Sequence, residues 1–132
     1  MGTCLPSQSD SVFGSVTQTV IMDCTVNELV GDLVRQDVSI DDKVVRATDN
    51  AVNRPVIGRI SSKQSDTRCE VILMGVIAVS GFSGRGRVFL SQVGGFTVSI
   101  PAPGSNEYMQ ELGYSYGDGR VHFKPSQIVI KR

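Results

Sequence analysis

The sequence contains no tryptophan, a single histidine and three cysteines. Cys4, Cys24 and Cys69 are odd in number and show neither CxxC nor paired-histidine spacing, so the pattern supports neither a disulfide framework nor a zinc site. A catalytic triad would have to use His122, yet no Gly-x-Ser-x-Gly elbow is present. We therefore expect buried free thiols, and we expect no catalytic residue, no metal and no cofactor.

The sequence also lacks a charge excess and a long apolar run. Its 13 basic side chains balance its 13 acidic ones, so it does not show the basic excess of a protein that neutralises many phosphates. The longest nearly continuous apolar run, Val71 to Val79, is far shorter than the roughly 20 residues of a membrane helix, and no basic-then-apolar leader opens the chain. We expect neither nucleic acid nor a membrane as partner, and a soluble protein kept in a reducing compartment.

What the sequence does have is 14 glycines and short apolar-polar alternations, above all from Gly86 to Ile130. This period of two is typical of half-buried strands joined by tight turns. Gly94-Gly95 predicts a two-residue hairpin turn, and Gly117 to Gly119 predicts a second hairpin. The first of these hairpins would point five apolar side chains one way on its two strands: Val88, Leu90, Phe96, Val98 and Ile100.

The upstream part of the chain predicts further strands. Thr17 to Cys24 is expected to be the first core strand, and Thr25 to Glu28 fits a capping box that opens the one plausible helical turn, ended by Gly31. Ser61 to Asp66 is expected to be a polar loop before the next strand. The other upstream strands are expected at Asp32–Val38, at Lys43–Thr48, from Pro55 through Ile60, and at Thr67–Met74 with its continuation Val76–Val79. Residues 17–132 thus predict one all-β domain, a β-barrel or β-sandwich of about nine to eleven short antiparallel strands.

Residues 1–16 differ in composition, because Ser, Gly, Pro, Gln and Asp dominate and the apolar residues have no sustained period. This composition predicts a flexible N-terminal arm. One alternative is an ordinary frayed terminus. The other is an arm that binds a neighbouring molecule, with Leu5 and Phe13 as anchors.

The segment Phe82 to Gly86 is a candidate phosphate-binding loop, because glycine-rich turns direct backbone amides at anions. It lacks the Gly-Lys-Ser/Thr ending and leads into a strand rather than a helix. Arg85 and Arg87 are therefore expected to be solvated or to bind an acidic surface of a partner. Asp41-Asp42 and Asp49-Asn50 lack the spacing of a calcium loop, so turn formation is the expected role of these residues.

Several segments of the sequence occur in an order that resembles a known protein family. The C-terminal third has, in order, Val88 to Ser91, Gly94-Gly95, Thr97 to Pro101, Leu112 to Tyr114 and Val121 to Ser126. This order resembles the C-terminal signature of small virion proteins of tailed bacteriophages, chiefly capsid decoration (cement) proteins, and a similar domain occurs on phage fibres. Three upstream segments resemble the first half of the same family: Val30 to Val34, Pro55 to Gly58, and Cys69 to Val76.

The resemblance implies a β-barrel or β-sandwich that oligomerises, commonly as a trimer, on a capsid surface, and it implies no catalytic residues. We expect a structural virion protein, made in the host cytoplasm, that binds the major capsid protein on the outside of the assembled shell and stabilises it. Apolar strands between residues 71 and 100 would supply the trimer contacts. The alternatives are a tail or fibre attachment domain that presents loops to a host receptor, and a small β-barrel enzyme or ligand carrier.

Overall fold

A computed structural model describes residues 17–132, which form eleven β-strands and no α-helix. The predicted all-β fold and the number of strands are confirmed. In chain order the strands are β1 (Gln18–Asp23), β2 (Leu33–Gln36), β3 (Val44–Arg46), β4 (Val56–Ser65), β5 (Arg68–Ala78), β6 (Arg85–Leu90), β7 (Phe96–Thr97), β8 (Tyr108–Met109), β9 (Glu111–Tyr116), β10 (Arg120–Phe123) and β11 (Ile130–Lys131).

Strands β1 to β5 form a curled sheet in the order β3-β2-β4-β5-β1. Through this curl the end of β1 meets the residues just before β3. The amide of Asp23 donates to the carbonyl oxygen of Asp42 at 2.8 Å, and Asp23 forms a parallel bridge with Lys43. The concave side holds one apolar cluster: Met22, Cys24, Val34, Val44, Ile60, Cys69 and Val71. We refer to β1 to β5 as the curled half.

The long strand β5 connects the curled half to a second set of strands. Residues 68–74 lie between β4 and β1, and from Gly75 to Ala78 the strand pairs with β10. The order then continues β10-β9-β6-β7, which we call the second sheet. The second apolar cluster combines residues of both halves: Leu33, Ala47, Val56, Ile77, Val88, Leu90, Leu112, Val121 and Phe123.

One glycine in the second sheet is required by close packing. Gly113 sits in the ladder between Val88 and Phe123, with a backbone φ of 141°. A Cβ atom at this position would collide with the carbonyl oxygen of His122, and positive φ is itself strained for residues with a side chain. Gly113 therefore lets β9 and β10 approach closely.

The predicted helical turn after β1 does not form, although the capping contact does. Glu28 Oε1 accepts hydrogen bonds from the Thr25 amide at 2.7 Å and the Thr25 hydroxyl at 2.9 Å. The helix is replaced because Lys63 Nζ binds the carbonyl oxygens of Thr25 and Glu28 at 2.7 and 2.8 Å. The Leu29 amide, which a helix would direct to Thr25, donates instead to Asp32 Oδ2 at 2.9 Å.

The prediction of a loop from Ser61 to Asp66 is wrong. Strand β4 continues to Ser65, and its ladder to β5 pairs Lys63 with Cys69 and Ser65 with Arg68. These polar residues remain in a strand because their side chains have partners or lie at the surface. The Ser61 hydroxyl, for example, donates to Glu70 Oε1 at 2.8 Å.

The connection between β6 and β7 also differs from the prediction of a two-residue turn. It spans residues 91–95, closed by a 2.8 Å hydrogen bond from the Ser91 amide to the Gly95 carbonyl oxygen, and of its two glycines only Gly94 has positive φ. Strand β7 then ends at Thr97, so Val98 and Ile100 lie outside it with 41% and 49% of their surface exposed. No helix in residues 17–132 is long and apolar enough to cross a membrane.

Candidate functional site

The outer surface of the second sheet brings basic and aromatic side chains together in two adjacent rows. In the first row Arg87 lies opposite Tyr114, Tyr114 opposite His122, and His122 opposite Val76 on β5. In the second row Arg85 lies opposite Tyr116, and Arg120 lies opposite Ala78. We call this surface the Arg–Tyr face and define it by Arg85, Arg87, Tyr114, Tyr116, Arg120 and His122.

The alternation of the strands explains why these side chains point outward. The row between the two outer rows consists of Gly86, Ser115, Val121 and Ile77. The side chains of its last three residues are buried, those of Val121 and Ile77 in the second apolar cluster. Successive strand residues point to opposite faces of a sheet. The residues on either side of this buried row therefore face solvent.

The aromatic rings of the face are arranged for contact with cations. The Tyr114 and Tyr116 ring centroids are 6.0 Å apart at an interplanar angle of 65°, close to an edge-to-face geometry. The Arg120 guanidinium lies 5.0 Å from the centroid of the Tyr116 ring. Arg87 lies in the same way 5.3 Å from the ring centroid of Phe89 on its own strand. The cations are thus held over rings, and the planar groups of both residue types are presented to solvent.

Two of the three arginines are paired with a carboxylate. Arg87 Nη2 lies 2.7 Å from Glu111 Oε1, and Arg120 Nη2 lies 2.9 Å from Asp118 Oδ2. These hydrogen bonds raise the pKa values of Arg87 and Arg120, and the bonds from Arg120 lower the pKa of the Asp118 carboxyl. Within residues 17–132 Arg85 has no such ion pair. The face therefore keeps a positive charge on a chain whose formal net charge is zero.

This arrangement suits binding rather than chemistry. Arginine and tyrosine are enriched at the energetic centres of protein interfaces, because they combine a large apolar area with directional hydrogen bonds. His122 is half-buried and lies between Tyr114 and Val76, and no serine, threonine or cysteine is among the residues that define the face. In the described part of the chain no three His, Cys, Asp or Glu side chains lie close enough together to hold a metal ion.

The structure places both arginines singled out in the sequence on this face, whereas Leu5 and Phe13 lie outside the described residues. The sequence pattern did not identify Tyr114, Tyr116 and Arg120 as part of the site. The signal was present as Tyr-x-Tyr and Arg-x-His, which are outward positions on two strands. Only the register across strands shows that they join Arg85 and Arg87 in one surface.

Of the pair Asp49-Asn50, only Asp49 has the local turn role predicted for both residues, whereas Asn50 is buried and binds a distant segment. Asp49 Oδ1 accepts from the Ala51 amide at 2.9 Å. Asn50 is buried, its carbonyl oxygen accepts from the Tyr108 amide at 2.8 Å, and its side-chain nitrogen donates to Glu107 at 3.2 Å. These groups fix the loop after β3 to the start of β8.

Two of the three cysteines have the buried, unoxidised state predicted for them. Cys24 and Cys69 are free and buried in the curled half, whereas Cys4 lies outside the described residues. Burial, together with a hydrogen bond to Cys24, raises the pKa of the Cys69 thiol to about 12. A thiol that stays protonated at neutral pH is a poor nucleophile and a poor metal ligand.

Comparison of this chain with protein-family models, with curated proteins and with solved structures gave no match in any of the three. The function of the protein can therefore be inferred only from the geometry of the Arg–Tyr face. The resemblance to phage decoration proteins stays a prediction.

Proposed function

We propose that this protein is a non-enzymatic binding protein that attaches through its Arg–Tyr face to an acidic protein surface. Following the resemblance in its strand and turn order, we propose the major capsid protein of a tailed-phage shell as that partner, with the virion surface as the site of action. The observation that carries this proposal is the side-by-side placement of Arg85, Arg87 and Arg120 with Tyr114 and Tyr116 on an exposed sheet surface.

The proposed mechanism is mass action. A protein that binds only the assembled shell stabilises the shell by the free energy of that binding, and many symmetric copies increase the total effect without a strong single contact. A sheet surface suits this task, since the ladder fixes its backbone and ion pairs already hold the side chains of Arg87 and Arg120. Among the arginines of the face, Arg85 has no ion pair within residues 17–132, so an acidic partner is favoured over a basic one.

We also propose that the protein self-associates as a homotrimer. The contacts between copies do not involve the apolar strands between residues 71 and 100 that the sequence predicts. Most apolar residues of β5 and β6 are used inside the chain, and Val71, Val88 and Leu90 are at most 3% exposed. One group of exposed apolar residues lies instead in the turn after β1, where Val26, Leu29 and Val30 have 62%, 57% and 60% of their surface exposed. We propose this turn for contacts between copies.

The test is co-sedimentation with assembled shells and with unassembled capsid protein from the same source. We expect the wild-type protein to bind shells with an affinity that falls as salt concentration rises, and the combined variant Arg85→Gln and Arg120→Gln to bind at least about tenfold more weakly. The matched control is Arg68→Gln, because Arg68 is also an exposed strand arginine, paired with Asp23 on the curled half. Equal affinity of the face variant and the wild type would refute the proposal.

A further inference from the structure

A cleft that the proposed shell contact does not use runs along both sides of the Arg59 side chain, beside the turn proposed for contacts between copies. It consists of two adjoining cavities of about 420 and 350 Å³, and both are lined by Gly31 and Arg59. No residue that defines the Arg–Tyr face lines either cavity. The two surfaces can therefore be tested separately.

Arg59 is held in place across the cleft by backbone groups. Its Nε donates to the Gly31 carbonyl oxygen at 3.1 Å, and its Nη1 donates to the Ala78 carbonyl oxygen at 2.9 Å. A guanidinium group has five N–H donors. Within residues 17–132 no acceptor binds Nη2, so this end of the guanidinium remains free to bind a ligand.

Comparison with Arg35 shows what Arg59 lacks. Arg35 is buried and donates to the carbonyl oxygens of Arg54 and Asp49, while the Asp49 carboxylate compensates part of its charge. Burial lowers the pKa of both arginines, and at Arg35 the Asp49 carboxylate opposes that shift, whereas among residues 17–132 no acidic group raises the pKa of Arg59. A half-buried cation that forms no ion pair within these residues is stabilised by an anion that reaches it.

Apolar side chains line both cavities beside Arg59, together with polar groups such as Asp32 and Ser80 in the larger one. The larger cavity is bounded by Phe82, Phe96 and Val93, together with the glycines of two turns, and the smaller one by Val30, Ile72 and Val76. Gly81 leaves its part of the larger cavity open, since no atom lies within 4 Å of the position of a Cβ atom there, whereas the amide and carbonyl groups of Gly95 already bind Ser91. Such a surface suits a ligand that joins apolar side chains, peptide groups and one carboxylate.

We propose that this cleft binds the carboxyl-terminal end of an apolar peptide segment of a partner protein, with the terminal carboxylate on Arg59 and the preceding side chains against Phe82 and Phe96. A carboxylate oxygen can accept a charge-assisted hydrogen bond from Arg59 Nη2, which has no acceptor within residues 17–132. The proposal goes beyond the proposed function, because it needs neither a shell nor the Arg–Tyr face.

The first test is a titration of the full chain, without shells, with the peptide acetyl-Val-Leu-Phe as free acid and as its carboxamide, followed by NMR at the arginine Nε–H signals. We expect the free acid to shift the Arg59 signal and to bind at least about tenfold more tightly than the carboxamide. Equal binding of the two, or no shift of the Arg59 signal at millimolar free acid, would overturn the proposal. Decanoate serves as a third probe, and decanoate binding as tight as the peptide would replace the peptide ligand by a fatty acid.

The second test changes the charge of the cleft without touching the Arg59 contacts. Ser80 is an exposed lining residue, and Ser80→Glu places a competing carboxylate in the cleft. Asp32→Asn removes a negative charge from the same lining. We expect the first variant to weaken and the second to strengthen free-acid binding, with no change for the control Ser99→Glu, which adds the same charge outside both cavities. Two cleft variants that behave like the control would contradict the proposal.

Discussion

The two halves of the molecule use the same kind of strand in different ways. In the curled half both faces of β2 are covered, so that the adjacent residues Leu33 and Val34 are both buried, one in each apolar cluster. In the second sheet β9 and β10 bury alternate residues on their inner face only, and their outer face presents the Arg–Tyr face to solvent. The difference suggests that the curled half and the shared core provide stability, whereas the outer surface of the second sheet is available for binding.

The largest effect on stability is expected in the core shared by both halves. Phe123 is fully buried, and Phe123→Ala should lower the free energy of unfolding by about 3 to 5 kcal/mol, because it leaves a cavity that the strands cannot close. Tyr114→Ala, on the neighbouring strand but on the open face, should change it by about 1 kcal/mol or less. Urea denaturation measures both values. Similar losses for the two variants would remove the distinction between core and face.

The next largest effect concerns the turn that replaces the predicted helix. Lys63→Met removes the donor of two short hydrogen bonds to the carbonyl oxygens of Thr25 and Glu28, and should cost about 1 to 3 kcal/mol. Hydrogen exchange should then speed up at residues 25–31 but not in β9 or β10. The control is Lys124→Met, since Lys124 is exposed. Uniformly faster exchange would mean that Lys63 does not act locally.

Ionisation of the Cys69 thiol in the curled half should have a smaller effect on the free energy of unfolding, and this effect appears at high pH. The folded pKa of Cys69 is raised from 9.0 to about 12, so its stabilising contribution is complete below pH 9 and is lost as the pH rises from 9 toward 12, where only the unfolded thiol ionises. Wild-type protein should therefore lose stability over this range more steeply than Cys69→Ala. Parallel stability profiles for the two proteins would show that the Cys69 thiol ionises equally in both states.

The smallest effect on stability is expected from residues 1–16. We propose that Leu5 and Phe13 contact a neighbouring subunit or the capsid. Deletion of residues 2–14 should then weaken shell occupancy and leave the β-sheet circular dichroism of residues 17–132 unchanged. Shell binding with the same affinity and salt dependence after deletion would identify the segment as an ordinary terminus.

The alternation of apolar and polar residues was sufficient to predict an all-β fold, because each strand contains its own period. It failed where a distant residue decides the local structure. Nothing between Thr25 and Gly31 shows that Lys63 takes the carbonyl groups a helix would need, and the polar composition of residues 61–65 hides their ladder to β5.

The candidate site was predictable only in part for the same reason. Arg85 and Arg87 could be identified as outward residues from one strand. Their meeting with Tyr114, Tyr116 and Arg120 depends on the register between β6, β9 and β10, and the close approach at Gly113 that allows it involves the backbone of another strand.

The most direct test of the central claim uses the three tyrosines of the chain, Tyr108, Tyr114 and Tyr116. Tyrosine acetylation of free and shell-bound protein, located by mass spectrometry, reports which of them the partner covers. Attachment through the Arg–Tyr face predicts protection of Tyr114, which is 46% exposed in the free chain, and of Tyr116, with unchanged modification of Tyr108 on β8. Unchanged modification of Tyr114 and Tyr116 on fully occupied shells would contradict the account.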